Sequence, residues 1–369
     1  MLIHAPPTSS GSLIRLLESL KKADFFSSAP PRLTIELPHV VNDETKRYLE
    51  HFRWPPKSDP KTGSLMTLHH RIPQRGLSPE ENSIRLLETF WPAEPLSSHV
   101  LVLSPQAELS PLFFHYLKYN ILEYRFSANK FDAENLLGIS LDLPATFLDD
   151  KADFLPPLSN SSGKPMISPF LWQAPNSNAA LIFGDKWVEL HDFVSRSISS
   201  QHLLPTPATI NEKVVSKSHP SWLEHILKLA RARGYVTLYP NFENPDVLAT
   251  MHSELYQAPE EYMEELDEEG SGTELTADPT RYKSLSKGEK PLAMKSLLKI
   301  LPFKGVLPKI SEMPILSWDG EVTSFSGILD SADSYAKVFR REIGGCEEAA
   351  AEKSQVSLLA GDLFCLDSR

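Results

Sequence analysis

The chain has 369 residues, of which 41% are hydrophobic and 23% are charged, a composition typical of folded globular proteins. Its formal net charge of -11 argues against a general binder of nucleic acid or of anionic membranes, because both require basic surfaces. No run of about 18 apolar residues occurs, so the sequence predicts no membrane span. The length allows one large α/β domain with an appendage, or two domains.

The cysteines and the N-terminus leave the cellular compartment open. Cys346 and Cys365 form no CxxC or Cys/His pattern, so neither a zinc site nor a disulfide framework is indicated. They could pair with each other, which the sequence alone does not decide. The first residues lack the basic start and apolar core of a signal peptide. The alternatives are a cytosolic protein and a chain that has lost an upstream anchor.

Strand and helix signals alternate through the first 260 residues, which predicts a layered α/β domain. The predicted strands cover residues 1–5, 33–37, 65–71, 100–103, 137–141 and 235–239. The predicted helices cover residues 12–23, 43–52, 80–90, 111–124 and 221–233. The strand GISLD at 137–141 is expected at an edge or bend of the sheet. The loop at 144–169, rich in Pro, Ser and Asp, has the length of functional loops that lie over active sites.

The composition changes at Glu260. Residues 261–290 carry a dense acidic run followed by Gly, Ser and Lys, which predicts a flexible linker. Residues 291–369 form a C-terminal extension of unknown role, with one predicted helix at 331–341. The sequence therefore predicts three parts: a domain over 1–260, an acidic linker and a small C-terminal segment.

Three blocks of the sequence resemble fungal proteins of glycosyltransferase family 2. The blocks are LVLSPQAELSPLFFHYLKYNILEY, FLWQAPNSNAALIFGDKWVELHDF and SHPSWLEHILKLARARGYVTLYPNF. More distantly, the order of elements is similar to that of Golgi N-acetylglucosaminyltransferases. The resemblance covers roughly residues 1–260. It implies a Rossmann-like GT-A domain with a mostly parallel central sheet, in which the donor nucleotide lies across the carboxyl ends of the first strands. It also implies the secretory pathway, with the cytoplasm as the alternative.

By place in this pattern, the resemblance assigns donor-binding residues at three strand ends. His4, Ala5 and Pro6 would line the nucleotide pocket, and Glu36 would contact the uracil ring. The turn Ser104-Pro105-Gln106 falls where the relatives carry an acidic triplet that holds a divalent metal.

The departure at this turn leaves the metal ligands unknown. Mn²⁺ or Mg²⁺ needs hard oxygen ligands, usually carboxylates, whereas Gln106 offers only a neutral amide oxygen. Glu108 could substitute if the turn is open, and His252, in the helix-like stretch ATMHSEL, is a candidate late ligand. Without a metal, cations would have to stabilise the leaving diphosphate. The candidates are Arg71, Arg75, Lys186 and Lys217.

Two further groups would contact the sugar. Trp172 would either pack in the core or stack on the sugar. Asn176, Ser177 and Asn178, beside a proline, either form a tight turn or bind sugar hydroxyls, since the resembling family has this loop below the donor sugar.

Three acids are candidates for the catalytic base. Glu224, at the start of a predicted helix, matches by order in the chain the base of inverting GT-A enzymes, which takes a proton from the acceptor hydroxyl. The competing interpretation is a capping box with Ser221. Glu189 and Asp192, on one face of a helix, are the second choices.

The leading hypothesis is an inverting glycosyltransferase that uses a nucleotide-diphosphate sugar, UDP-linked by resemblance. The acceptor hydroxyl, on a glycan, a protein or a lipid, is unknown. The alternative is a catalytically inactive protein of the same fold that acts as a scaffold or subunit. A third interpretation is a truncated gene product that lacks an upstream anchor, because a strand begins at Met1.

Overall fold

The fold was analysed in a computed structural model of the chain. The structure describes residues 1–7, 9–56, 63–72, 77–126, 134–159, 166–201, 213–242, 248–252, 256–263, 305–352 and 360–365. Arg75 and residues 264–290 of the predicted linker lie outside these ranges.

Twelve strands and eight α-helices are defined in these ranges. The strands are β1 (Leu2–His4), β2 (Leu33–Leu37), β3 (Met66–His70), β4 (Val100–Leu103), β5 (Ala107–Leu109), β6 (Leu136–Ser140), β7 (Phe170–Trp172), β8 (Ala179–Ile182), β9 (Val236–Tyr239), β10 (Ala249–Met251), β11 (Ile315–Leu316) and β12 (Val322–Thr323). The helices are α1 (Ser10–Lys21), α2 (Asp43–His51), α3 (Pro79–Ile84), α4 (Phe113–Arg125), α5 (Gly184–Gln201), α6 (Trp222–Arg233), α7 (Phe325–Glu342) and α8 (Glu348–Ala351).

Ten of the strands form one mixed sheet in the order β12-β11-β7-β9-β6-β8-β4-β1-β2-β3. The pairs β1–β2, β1–β4, β2–β3, β6–β9 and β7–β11 are parallel. The pairs β4–β8, β6–β8, β7–β9 and β11–β12 are antiparallel. Strands β5 and β10 form a separate antiparallel pair. The prediction of an α/β fold with a large, mostly parallel sheet is confirmed at this level.

Helices cover both faces of the sheet, because successive strand residues point to opposite sides. Ile3 of β1 belongs to a buried cluster with Leu16 of α1 and Phe113 of α4. Leu2, the preceding residue, belongs to a second cluster with Trp187 of α5 and Ile226 of α6. The alternation along β1 thus separates two apolar cores, one on each face.

The sequence predicted β6 at an edge or bend of the sheet, and the edge alternative is wrong. Strand β6 lies between β8 and β9 in the interior of the sheet, with a register shift between Leu136 and Gly138. Gly138 lies so close to the neighbouring strand that an added Cβ would be 2.0 Å from the carbonyl oxygen of Leu181. The glycine permits this close approach of two backbones.

The C-terminal segment contributes to the same sheet. Strand β11 pairs in parallel with β7, and β12 pairs with β11. Arg233 at the end of α6 forms buried ion pairs with Glu189 of α5, at 2.7 Å, and with Asp362, at 2.5 Å. Cys346 and Cys365 form a disulfide. The residues predicted as an extension are therefore joined to the sheet by strand pairing and to α6 by an ion pair, and the disulfide closes a loop within the extension itself.

The first residues of the predicted linker are also packed in the fold. Residues Glu260–Tyr262 form a 3₁₀ turn in which Glu261 is buried. The Glu261 carboxylate accepts hydrogen bonds from the Ser83 hydroxyl, at 2.7 Å, and from the Ser221 amide, at 2.8 Å. The acidic run thus begins inside the folded structure.

None of the described helices has the length and apolar character needed to cross a membrane.

Candidate functional site

A cavity of about 740 Å³ lies at the end of the sheet where the parallel strands terminate. Strands β1, β4, β6 and β9 all have their carboxyl ends there, and the antiparallel strand β8 begins there. The cavity is lined by His4 at the end of β1 and Pro6 beyond it, residues 104–106 after β4, Asp142 after β6, residues 176–178 before β8, and Asn241 after β9. In open α/β sheets, ligands bind in the crevice outside the carboxyl ends of the strands. The volume is that of a small-molecule site.

Eight of the eleven predicted donor-binding residues line this cavity. They are His4, Pro6, Ser104, Gln106, Trp172, Asn176, Ser177 and Asn178. The other three, Ala5, Glu36 and Glu108, lie outside its lining.

The most buried acid of the cavity is Asp142, which the sequence analysis did not identify. Its side chain is 2% exposed, and its Oδ1 accepts a hydrogen bond of 2.6 Å from the Asn176 amide. Its Oδ2 accepts a longer bond, 3.3 Å, from the Asn178 amide. Burial raises the pKa of Asp142 to about 6, although these bonds and one from Ser140 oppose the shift. Asp142 comes just after strand β6, as Ser104 comes just after strand β4. This shared position after a strand is the sequence feature that could have identified Asp142.

The turn before β8 holds these amides in place. The Asn176 Oδ1 accepts a hydrogen bond of 2.7 Å from the Asn178 backbone amide, which is an Asx turn. The Asn178 carbonyl in turn accepts a bond of 2.6 Å from the Ser104 amide. The turn is therefore tied to the end of β4. The tight-turn interpretation is confirmed, and the binding of sugar hydroxyls by these cavity-lining residues stays a prediction.

The turn after β4 does not fit a divalent cation. Gln106 lines the cavity, but its amide oxygen is neutral. The Glu108 carboxylate lies 2.8 Å from His252 Nε2 and outside the cavity lining. Within the described parts of the chain, no three His, Cys, Asp or Glu side chains come together as metal ligands. The expectation that His252 lies in a helix is wrong, because it directly follows strand β10.

A charged network lies behind the β1 end of the cavity. Glu36 is buried, 2.6 Å from His4 Nδ1 and 3.6 Å from the Arg71 guanidinium. Burial by itself would raise the pKa of Glu36, but the hydrogen bond and the charges of these partners lower it. Arg71 also pairs with Glu260 at 2.5 Å. Glu36 thus does not line the cavity itself, but it is hydrogen-bonded to His4, which does.

Of the four cations suggested for the diphosphate, the three that the structure describes do not line the cavity. Arg71 is engaged as above, and Lys186 lies over the ring of Tyr235, 4.0 Å from its centroid. Lys217 is exposed. Among the described lining residues there is no lysine or arginine, whereas three aspartates are present, Asp142, Asp150 and Asp153.

The three predicted catalytic acids lie away from the cavity lining. Glu224 is buried, and its Oε2 accepts hydrogen bonds from the amides of Val214 and Val215, at 3.1 and 2.9 Å. Glu189 accepts from Arg233 and from the Tyr235 hydroxyl, at 2.7 and 2.5 Å. Asp192 forms an ion pair with Arg196 one helical turn away.

The capping-box interpretation of Ser221 and Glu224 is wrong. Ser221 has helical backbone angles, φ -59° and ψ -29°, and its side chain forms no capping hydrogen bond. Its amide is instead satisfied by Glu261, which is distant in sequence. The sequence pattern at Ser221 and Glu224 predicted a cap within the helix, but the acceptor for the Ser221 amide comes from another part of the fold.

The loop at 144–169 was predicted to lie over an active site, and eleven of its described residues line the cavity. Asp150 has a left-handed backbone, φ 55°, and accepts hydrogen bonds from Thr146, Ser216 and Ser218. Burial alone would raise the pKa of Asp150, but these hydroxyl donors lower it. Asp150 therefore ties the loop to the segment before α6.

Aromatic rings form the inner wall. Trp172 stacks on Phe154, with 4.3 Å between ring centroids and 10° between planes, and it also lines the cavity. Trp222 lines the cavity as well, and its indole N–H has no hydrogen-bond acceptor among the described residues. His219, also in the lining, has its pKa lowered by burial.

No protein-family model and no curated protein matches this sequence.

Proposed function

We propose that the protein is a glycosyltransferase that moves a sugar from a nucleotide-diphosphate donor, UDP-linked, to a hydroxyl acceptor with inversion. The observation that carries this proposal is the convergence of eight predicted donor-binding residues on one cavity at the carboxyl ends of parallel strands. These residues come from segments far apart in sequence.

The chemistry of the cavity wall supports a sugar as the bound group. Sugar hydroxyls both donate and accept hydrogen bonds, and their C–H faces pack on aromatic rings. The Asp142 carboxylate, the Asn176 and Asn178 amides and the Trp172 ring supply these contacts within one cavity. A carboxylate oxygen has two lone pairs, so Oδ2 of Asp142, with its single long bond, retains acceptor capacity.

The geometry favours Asp142 over Glu224 as the general base. In the proposed step, the acceptor oxygen attacks the anomeric carbon while the carboxylate removes its proton. The bond between the anomeric carbon and the diphosphate oxygen breaks, and the diphosphate leaves with the electron pair. A base has to reach the acceptor hydroxyl. Asp142 lines the cavity. The Glu224 carboxylate lies outside the lining, where it accepts hydrogen bonds from the backbone amides of Val214 and Val215.

The charge of the cavity limits how the donor binds. Because the described lining contains aspartates and no lysine or arginine, it offers little stabilisation to a diphosphate. We therefore expect the nucleoside and the sugar to supply most of the donor affinity. The resemblance implies dependence on a divalent metal, but the turn Ser104-Pro105-Gln106 lacks the carboxylates that would hold such an ion.

The disulfide supports the secretory pathway as the compartment. Structural disulfides form and persist in oxidising environments, such as the endoplasmic reticulum and the compartments beyond it. Cys346 and Cys365, which are 19 positions apart, form such a bond.

Donor binding is the first test. Thermal unfolding of the purified protein would be followed with UDP, GDP and their sugars at millimolar concentration, with and without Mn²⁺. A ligand that binds only the folded state at 100 times its Kd stabilises it by about 2.7 kcal/mol. A UDP-sugar that raises the melting temperature supports the proposal. The absence of any shift would overturn it, and binding without transfer to any acceptor would favour the scaffold alternative.

The identity of the base is the second test. Asp142→Asn is expected to lower transfer by ~10²–10⁴-fold with donor binding retained, the usual contribution of a general base. Glu224→Gln is the matched control, because the amide oxygen of Gln can still accept from Val215, and transfer should stay near wild type. The reverse result in this pair would return the role to Glu224.

A further inference from the structure

An exposed apolar lip lies at the mouth of the cavity. Leu155, Leu158 and Ile167 are 74%, 54% and 37% exposed, and all three line the cavity. Single exposed apolar residues are ordinary on protein surfaces. Three of them on the wall of one cavity form a feature of that cavity, which we call the lip.

The backbone brings the two parts of the lip together. Ser159 and Met166 form an isolated antiparallel bridge with two reciprocal hydrogen bonds of 2.9 Å. Leu158 directly precedes Ser159, and Ile167 directly follows Met166. The bridge therefore fixes these two side chains near each other.

The apolar surface continues inward from the lip. Leu148, Phe154 and Pro156 also line the cavity, and Phe154 stacks on Trp172 at the inner wall. An apolar path thus runs from solvent to the aromatic wall in the cavity that contains Asp142. A ligand that follows this path has one polar end and one apolar end.

The charge of the cavity selects among such ligands. The donor's diphosphate already brings negative charge into a cavity whose described lining contains three aspartates, so a phosphate or another anion on the acceptor would be repelled by both. The net charge of -11 acts in the same direction. An uncharged polar end is therefore the better fit.

We propose that the acceptor is an uncharged amphipathic molecule, an alcohol or neutral sugar carried on an alkyl chain, whose chain lies along the lip of Leu155, Leu158 and Ile167. This proposal rests on the proposed function, because it names the acceptor of that reaction. The hydroxyl end enters the cavity, and the alkyl chain packs against the lip, out of contact with water.

Alkyl glucosides test the lip without requiring a known acceptor. Binding of methyl and octyl β-D-glucoside, below the micelle concentration, would be measured by titration calorimetry. Each methylene that is buried contributes about 0.8 kcal/mol, which is about fourfold in affinity. Contact of two or three methylenes with the lip should make octyl glucoside bind about 16-fold to 64-fold more tightly than methyl glucoside.

Two variants localise this preference. Replacement of Leu155 and Leu158 by serine should weaken octyl glucoside binding by about tenfold or more, the loss of roughly two buried methylenes, and leave methyl glucoside unchanged. Leu96→Ser is the matched control, because Leu96 is 71% exposed and does not line the cavity. It should bind both glucosides as the wild type does.

Several outcomes would overturn the lip proposal. Equal affinity for the two glucosides, or a preference that survives the double substitution, removes the lip from acceptor binding. A wild-type dimer that the double variant converts to monomer would identify the lip as an interface between copies. Binding to neutral lipid vesicles that depends on the lip, without a preference for octyl glucoside, would identify a membrane contact. Each of these results leaves donor binding intact, whereas failure of the proposed function removes it.

Discussion

Substitution of Asp142 by asparagine should change how stability depends on pH, whatever reaction the protein catalyses. Asp142 is buried among hydrogen-bond donors without a cationic partner in the described contacts, and its pKa is raised to about 6. In the unfolded chain, an aspartate has a pKa of ~3.9. The folded state therefore binds a proton more tightly than the unfolded state over this interval.

The sign of the effect follows from proton linkage. Stability falls as pH rises wherever the folded state binds more protons than the unfolded state. The cost of the Asp142 carboxylate is small below about pH 4, grows as pH rises towards 6, and is fully present above the folded pKa. A shift of about two pKa units corresponds to ~3 kcal/mol, and roughly half of this develops between pH 5 and pH 7.

Urea unfolding at several pH values between 5 and 7 measures this effect. The introduced asparagine does not titrate, so we expect the difference in unfolding free energy between wild type and Asp142→Asn to change by about 1 to 1.5 kcal/mol over this interval. The wild type should lose stability relative to the variant as pH rises. Asp153→Asn, at an exposed aspartate of the same cavity, controls for general effects of charge removal and should follow the wild-type curve.

Parallel curves for the wild type and Asp142→Asn would refute this reasoning. They would mean that Asp142 titrates equally in the folded and unfolded states, and therefore that it is not buried as described. A difference of the opposite sign would place an undetected cation beside its carboxylate. In either case, the argument for Asp142 as the base would lose its structural premise.

Two further predictions concern the C-terminal segment. Arg233→Met should lower the unfolding free energy by about 3–5 kcal/mol, because it leaves Glu189 and Asp362 buried without their cation. Urea denaturation measures this loss. A loss below about 1 kcal/mol would contradict the burial of these two carboxylates. Replacement of Cys346 and Cys365 by serine should cost about 3 kcal/mol for a loop of this length, measured by the same method under non-reducing conditions. Identical stability of the wild type with and without reductant would count against the disulfide.

The sequence predicted the elements best where the local pattern and the tertiary role agree. The buried apolar runs at Leu33–Leu37 and Val100–Leu103 were predicted with the observed bounds, because proline or serine marks where each ends. The predicted end of α6 at Arg233 is also confirmed, and Gly234, which follows it, adopts the left-handed conformation with φ 69° that ends many helices. Strand β11 has only two residues, too few to show any periodicity, and its place beside β7 is fixed by packing.

Predictions of site residues also succeeded where the position in the chain determines the position in the fold. The resemblance assigned His4 and Gln106 by their places after predicted strands, and parallel strands in one sheet bring their carboxyl ends to the same side. It assigned Asn176 by the loop that lies below the donor sugar in the resembling family. All three line one cavity although they are far apart in the chain.

The base could not be predicted in this way, because its assignment depends on where one side chain finds its partners. Glu224 occupies a helix start that looks suitable by order in the chain, yet its oxygens bond to the amides of Val214 and Val215. Asp142 follows β6, which was predicted at an edge or bend, and the interior position of β6 directs this acid to the cavity. A carboxylate fixed by backbone amides is held by the fold, whereas one fixed by side-chain amides at a cavity wall can exchange those bonds for a ligand. That difference in partners, which no linear pattern encodes, is the reason to test Asp142 before Glu224.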